Sequence, residues 1–140
     1  RSETSATDEG RSEKRGGRAL PQPAAPIALV VEGGFSSCVE LAAGAYPWLP
    51  VRYTMFDKFD SMARAPALPH RMPALCIHGR LDDIAPIGLG RKLFEALPSD
   101  RKRFVELKDA GHNDIPYNDP ERYLREVSAF LHEARAAASI

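Results

Sequence analysis

An acidic and a basic side chain of this sequence stand in equivalent places, each shortly after an apolar run. Asp82 comes five residues after the run that ends at Ile77, and His112 comes five residues after the run that ends at Leu107. If the two runs form neighbouring strands, the side chains are within hydrogen-bond reach, because adjacent strands lie only about 5 Å apart. A buried carboxylate that orients an imidazole is half of the machinery that makes a serine hydroxyl nucleophilic. The pair therefore indicates an acid, Asp82, and a base, His112.

Both side chains also have plainer interpretations. Asp82 could cap the helix expected near Pro86. Asp83 competes with Asp82 for the role of catalytic acid. His112 could be a loop histidine hydrogen-bonded to Asp114. The position of each residue after a strand favours the catalytic interpretation, since catalytic groups of open parallel sheets gather at the carboxyl ends of the strands.

The other three histidines are given structural or surface roles. His78 is expected to pack at a strand end, whereas His70 and His132 are expected to face solvent.

No convincing nucleophile accompanies the pair. Ser12 lies in the run Gly-Arg-Ser-Glu-Lys, with no apolar strand before it and no apolar-striped helix after it. Ser36, Ser37 and Cys38 follow the first apolar run, but helix capping and core filling explain them without catalysis. We therefore interpret all four side chains as non-catalytic.

Three apolar runs have the length of strands, over residues 27–31, 73–77 and 103–107. The first two are continuous, as is typical of strands buried on both faces of a parallel sheet. The third is less apolar and is expected nearer the sheet edge. Helical patterns alternate with these strands, so right-handed crossovers would produce a parallel sheet, and the predicted fold class is α/β.

Two helices are predicted in the second half of the chain. One covers residues 86–97, with Pro86 in its first turn. The other begins after Asp119, its N-cap, with Pro120 at the first position. Its apolar stripe comprises Tyr123, Leu124, Val127, Phe130, Leu131 and Ala134. Residues 108–118 are predicted to be a loop.

The region between the first two strands is harder to assign. Ser36 or Ser37 can cap a short helix that ends near Ala43. Residues 46–50 contain two prolines and indicate an aromatic surface loop, in which Tyr46 and Trp48 either line an acyl pocket or cover the sheet. Scattered apolar positions over residues 51–65 roughly fit one face of a helix.

Composition argues for a globular protein and against charged-polymer partners. Hydrophobic residues make up 44% of the chain and charged residues 27%. Lysine plus arginine equals aspartate plus glutamate, at 19 each, so no net field attracts nucleic acid or an anionic membrane. The longest apolar run is too short to cross a bilayer, and no signal-peptide pattern is present. We expect a small-molecule or acyl substrate, no nucleic-acid partner, no transmembrane segment and a cytoplasmic location.

The two cysteines, Cys38 and Cys76, lack metal-ligand spacing. We expect them to fill the core rather than to form a disulfide or bind a metal, and we expect no cofactor.

The first 26 residues are polar, with Leu20 as their only large aliphatic side chain. Such a segment cannot bury enough apolar surface to offset the entropy lost on ordering. We therefore expect residues 1–26 to be a disordered tail that precedes one domain over residues 27–140. The sequence begins with Arg1 rather than methionine, which suggests a fragment, a processed chain or an incomplete gene model.

Several motifs together resemble those of the α/β-hydrolases. Residues 73–86 read Pro-Ala-Leu-Cys-Ile-His-Gly-Arg-Leu-Asp-Asp-Ile-Ala-Pro, and residues 110–114 read Ala-Gly-His-Asn-Asp. They resemble the segments that carry the catalytic acid and histidine of that superfamily, in the same chain order. The segments 29–37, 46–50 and 59–61 are similar to the Bem46-like, ABHD13 and ABHD17-type branch of its serine hydrolases.

The resemblance implies the C-terminal half of an α/β-hydrolase, with a partial fold of short parallel sheet and flanking helices. Asp82 and His112 would be the acid and base of an enzyme that hydrolyses an ester, thioester or amide through an acyl-enzyme. Family members carry a Gly-x-Ser-x-Gly elbow upstream of the strand at residues 27–31, where this chain has only the Ser12 segment, with Lys14 in place of the last glycine. We therefore expect the nucleophile to be absent from this chain.

An alternative is a truncated, non-catalytic remnant that is inert, or that binds a partner or a second copy through an exposed sheet edge. An intact elbow encoded upstream of the known sequence, in any reading frame, would favour the enzyme.

Overall fold

A computed structural model describes residues 25–139 of the chain. Most of the predicted tail, including Ser12, lies outside the described residues. Within residues 25–139, no helix combines the length and the apolar character needed to span a membrane.

The sheet consists of three parallel strands in the order β1-β2-β3, namely β1 (Leu29–Glu32), β2 (Ala74–Gly79) and β3 (Lys102–Leu107). In register, Val31 pairs with Cys76, which pairs with Phe104. Every residue of β2 is buried, as its continuous apolar run predicts for a central strand. The predicted α/β class is confirmed. The first strand begins two residues later than predicted, because its pairing starts at Leu29 and Ile27 is 51% exposed.

Six helices and one 3₁₀ turn surround the described sheet. They are α1 (Cys38–Ala45), α2 (Val51–Thr54), α3 (Ser61–Arg64), the 3₁₀ turn (Ala65–Ala67), α4 (Ile87–Ala96), α5 (Ile115–Asn118) and α6 (Pro120–Ala138). The predicted helix over residues 86–97 corresponds to α4 within one residue at each end.

Alternate side chains of β2 enter two cores on opposite faces of the sheet. The core that α6 covers includes Leu75, Ile77, Val105, Leu107, Ile115 and Phe130. The core that α4 covers contains Ala65, Ala74, Cys76, Leu93 and Leu97. Helices therefore pack on both faces of the sheet. This packing fixes the positions of the three strand ends relative to one another.

The single helix predicted over residues 51–65 is wrong. The backbone leaves the helical conformation after Thr54, and Phe59 has a positive φ of 37°. Asp60 then starts a new helix, α3, by accepting a hydrogen bond from the backbone N–H of Ala63 at 3.0 Å. The scattered apolar positions did not face a core, since Tyr53, Phe56 and Phe59 are exposed.

Residues 108–118, predicted as a loop, end in the short helix α5. Asp114 begins it, and its carbonyl oxygen accepts hydrogen bonds from the N–H groups of Tyr117 and Asn118. A helix of four residues is too short to show apolar periodicity, so it could not be predicted from the residue pattern.

The last helix begins as predicted, with the side chain of Asp119 accepting a hydrogen bond from the N–H of Arg122 at 3.1 Å. Phe130 and Ala134 are buried along it. Leu124 and Leu131 of the predicted stripe are 60% and 46% exposed, so the buried face is narrower than the apolar stripe.

Candidate active site

The carboxylate of Asp82 is buried just beyond the carboxyl end of β2. Its side chain has no exposed area. Oδ1 accepts hydrogen bonds from the backbone N–H groups of Ile84, at 3.1 Å, and Ala85, at 2.7 Å. Both bonds are made to Oδ1, so they hold the carboxylate in place and leave Oδ2 free to bind another donor. The neighbouring Asp83 is exposed, as expected of a solvated side chain.

The imidazole of His112 meets Asp82 from the loop after β3. Nδ1 of His112 lies 2.8 Å from Oδ2 of Asp82, and the histidine side chain is 28% exposed. Because an ionised carboxylate only accepts, Nδ1 carries the hydrogen of this bond, and neutral His112 then has its lone pair on Nε2. That nitrogen can act as a general base toward a group that binds beside it.

Glycine at position 79 lets the two loops approach each other. A Cβ atom on Gly79 would lie 2.3 Å from the carbonyl oxygen of Ala110 and 2.5 Å from that of Gly111. The N–H of Leu81 also donates to the carbonyl oxygen of Ala110 at 2.9 Å. The histidine loop therefore sits directly on the end of β2.

A second glycine, Gly33 after β1, contacts the imidazole. Gly33 has a φ of 55°, a conformation that favours glycine, and its N–H donates to the carbonyl oxygen of Ile77 at 3.0 Å. A Cβ atom here would lie 3.1 Å from both Cε1 and Nδ1 of His112. The turn after β1 thus forms one side of the histidine site.

Asp114 does not bind the histidine, contrary to the plainer interpretation of His112. Its Oδ1 accepts a hydrogen bond from the N–H of Gly111 at 2.6 Å. Asp114 therefore shapes the loop that carries His112.

A third side chain, His78, contacts the carboxylate, and sequence reasoning gave it only a packing role. Its side chain is 2% exposed, and its Nε2 lies 3.3 Å from Oδ2 of Asp82 and 2.7 Å from the carbonyl oxygen of Ala85. The available signal was the spacing, since His78 precedes Asp82 by four residues across a strand end. His70 and His132 are exposed, as predicted.

The hydroxyls after β1 are engaged in structural contacts. Ser36 is fully buried and donates to a carboxylate oxygen of Glu40. That hydrogen bond, together with Lys92, lowers the pKa of Glu40. Oγ of Ser37 caps α1 by accepting from the N–H of Glu40 at 3.1 Å. These contacts agree with the non-catalytic interpretation of both serines.

The two cysteines are free thiols. Burial raises the pKa of Cys76 to about 11, so this thiol stays protonated and inert at neutral pH. Among residues 25–139, no cluster of three or more histidine, cysteine, aspartate or glutamate side chains could hold a metal ion.

A groove of about 380 Å³ opens beside the acid loop, between α1 and α4. Its apolar walls include Leu41, Ile84 and Leu89. The two aromatic rings considered for an acyl pocket do not line it. Tyr46 and Trp48 pack edge to face with ring centroids 6.4 Å apart and are 53% and 78% exposed.

The chain was compared with protein-family models, with curated proteins and with solved structures. No protein-family model matches the chain. An uncharacterized protein of Mycobacterium tuberculosis H37Rv is 37% identical over 117 residues, which are 84% of this chain and 40% of the relative. Its counterpart in strain CDC 1551 matches to the same extent. The chain therefore spans 40% of the length of the curated relatives it matches.

Among solved structures, an α/β-hydrolase enzyme from a sediment metagenome of the Mar Chica lagoon, Morocco, superposes with a TM-score of 0.52. It is 16% identical, and the match covers 76% of this chain and 50% of that one. A thermophilic esterase from Thermogutta terrifontis matches at 31% identity with a TM-score of 0.47, over 54% of this chain and 26% of the esterase. The parallel sheet with helices on both faces, together with the first of these superpositions, identifies the fold of residues 25–139 as part of an α/β-hydrolase fold.

Proposed function

We propose that this chain supplies the acid and the base of a serine hydrolase that acts on an ester, thioester or amide through an acyl-enzyme. The observation that carries the proposal is the bond between Oδ2 of Asp82 and Nδ1 of His112, with a buried carboxylate and a partly exposed ring. An imidazole held in this way presents Nε2 as a base. The resemblance of residues 29–37, 46–50 and 59–61 supports assignment to the Bem46-like, ABHD13 and ABHD17-type branch.

In the proposed reaction, Nε2 of His112 accepts the proton of a serine hydroxyl while that oxygen attacks the substrate's carbonyl carbon. The imidazolium then gives the proton to the leaving alcohol, thiol or amine, whose bond to carbon breaks, and an acyl-enzyme remains. Water, deprotonated by the same nitrogen, releases the acid and restores the serine. Asp82 orients the ring and stabilises the imidazolium.

We infer that the nucleophile comes from outside residues 25–139. Ser36 and Ser37 already serve Glu40 and the start of α1. The chain spans 40% of its curated relatives, so a longer protein has room for an elbow strand beside β1. Such a strand would place the serine near the turn at Gly33, which touches His112.

The test is labelling by a fluorophosphonate probe of the longest form of the protein that its gene encodes. We expect stoichiometric labelling of one serine, slowed by about 10⁴-fold or more in both His112→Gln and Asp82→Asn. Hydrolysis of p-nitrophenyl acetate and butyrate should decrease in parallel.

Two matched variants control for general damage. His132→Gln and Asp83→Asn make the same chemical changes at exposed positions and should label at the original rate. Equal labelling of the Asp82 and Asp83 variants would exclude the proposed acid.

A second candidate, a non-catalytic partner-binding protein, is favoured by the free edge of the described sheet. Within residues 25–139, β1 pairs with β2 alone, and Ile27 beside it is 51% exposed. An unpaired apolar edge is a template for strand addition. This candidate predicts self-association or partner capture with no probe labelling, and light scattering after gel filtration tests the self-association.

A further inference from the structure

Four nitrogen atoms surround the two carboxylate oxygens of Asp82, and the proposed mechanism leaves one of them without a role. Backbone N–H groups occupy Oδ1, and Nδ1 of His112 occupies Oδ2. The fourth is Nε2 of His78, 3.3 Å from Oδ2. The first three donate hydrogen bonds to the carboxylate, whereas His78 is in close contact with it.

The backbone determines which nitrogen of His78 carries hydrogen. Nε2 lies 2.7 Å from the carbonyl oxygen of Ala85, and a carbonyl oxygen can only accept a hydrogen bond. Nε2 is therefore protonated. The same nitrogen lies 3.3 Å from Oδ2 of Asp82, so its N–H group is in close contact with the carboxylate. Ala85, whose carbonyl oxygen binds His78, in turn donates its own N–H to Oδ1 of Asp82.

Contacts on the ring of His78 keep its Nε2 directed at the carbonyl oxygen of Ala85. It stacks on Phe104 of β3, with centroids 6.3 Å apart and planes 13° apart. On α4, a Cβ atom at Gly90 would lie 2.4 Å from Nδ1, so the helix passes directly against the ring. A side chain confined by a neighbouring strand and a helix is a rigid support for the group it contacts.

We propose that His78 is a positioning residue that holds the Asp82 carboxylate with Oδ2 directed at Nδ1 of His112. It acts through Asp82 and does not touch substrate. Its catalytic meaning rests on the proposed function, but the positioning itself can be measured without turnover.

The first test is nuclear magnetic resonance of the full chain with ¹⁵N-labelled histidine. We expect His78 to hold its hydrogen on Nε2, and the Nδ1–H of His112 to give a downfield, slowly exchanging signal. The spectrum of His112→Gln assigns that signal. A His78 ring protonated on Nδ1 alone would overturn the proposal, and this measurement requires no change at His78.

The second test compares His78→Leu with His78→Gln. Leucine removes the donor, so exchange of the His112 Nδ1–H should become about tenfold faster or more, whereas the amide N–H of glutamine should restore most of the protection. His132→Gln, on the exposed face of α6, should leave the signal unchanged. A folded leucine variant with the original exchange rate would refute positioning by His78.

Probe labelling distinguishes this inference from the proposed function. No labelling of the longest natural form, with the expected His78 and His112 signals, would reject the hydrolase and keep the positioning role. Labelling with the opposite tautomer of His78 would reject the positioning role alone.

Discussion

Oδ2 of Asp82 and Nδ1 of His112 lie 2.8 Å apart, although 30 residues separate the two in the chain. They meet because β2 and β3 are adjacent parallel strands, and the loops that follow such strands leave the same edge of the sheet. The carboxylate is buried while the imidazole is partly exposed. The acid is therefore held inside the protein, and the base is partly exposed to solvent.

Replacing Gly79 with alanine is expected to destabilise the chain. The added Cβ would lie 2.3 Å from the backbone oxygen of Ala110, and backbone cannot yield as a flexible side chain does. We expect the free energy of unfolding to fall by about 1–3 kcal/mol, as for other overpacked sites. Urea denaturation followed by circular dichroism measures this change.

The control for that variant is Gly44→Ala in α1, where a Cβ would meet no atom within 4 Å. Alanine favours helix over glycine, so stability should be unchanged or rise by less than about 1 kcal/mol. Similar free energies for the two variants would contradict the close approach of the histidine loop to β2.

Substitution of Gly33 is expected to displace the imidazole of His112. Gly33→Asn suits the positive φ of this position better than alanine, but it adds a Cβ 3.1 Å from Nδ1 and Cε1 of the ring. We expect the His112 Nδ1–H signal to shift and to exchange faster. Gly88→Ala, with open space around the new methyl group, should leave it unchanged. An original His112 signal in Gly33→Asn would show that the turn does not support the ring.

The pairing of Asp82 with His112 could be predicted because it depends on strand order and on the position of each residue after a strand. The bonds of His78 could not, since they depend on the packing of its ring between Phe104 and Gly90. The spacing from His78 to Asp82 was visible in the sequence, but four residues across a turn do not determine where a side chain points.

The helices before β2 were predicted less well because several apolar residues of this region are exposed. Tyr53 and Phe56 are 90% and 97% exposed, so their spacing did not mark a core-facing helix. On α6, Leu124 and Leu131 fit the predicted apolar stripe but are likewise exposed. Periodicity predicts a helix reliably only where the apolar stripe packs against the rest of the protein.

The stability of the chain should decrease above pH 9 because of Cys76. Burial raises the pKa of this thiol from 9.0 to about 11, so between these values the unfolded chain releases a proton that the folded chain retains. Rising pH therefore favours unfolding, by about 2–3 kcal/mol over the interval.

Cys76→Ala tests this attribution, because it removes the thiol and should flatten that part of the profile. The hydrogen bond to Glu32 raises the pKa of Tyr123 from 10.0 to about 12, so the tyrosine also favours unfolding from pH 10 upward, equally in both proteins. The interval from pH 9 to 10 therefore reports mainly on Cys76. Urea denaturation at several pH values measures both profiles. Equal slopes from pH 9 to 11 would show that Cys76 is not the cause.

The 140-residue chain alone is expected to be a poor hydrolase. Ser36 is buried and bonded to Glu40, and Ser37 caps α1. Without a positioned serine there is no acyl-enzyme, and a missing oxyanion donor typically costs about a hundredfold or more in rate. Asp82 and His112 could still activate water by general-base catalysis, which contributes about 10²- to 10⁴-fold in a well-formed site.

We therefore expect no stoichiometric labelling of this chain by a fluorophosphonate probe. Any hydrolysis of p-nitrophenyl acetate should be slow and should fall in His112→Ala, since that variant removes the base. Stoichiometric labelling that disappears in Ser12→Ala would contradict this expectation and identify Ser12 as the nucleophile. Labelling that persists in Ser12→Ala and maps to Ser36 or Ser37 would require that serine to break its hydrogen bond with Glu40, and it would point to a rearranged site.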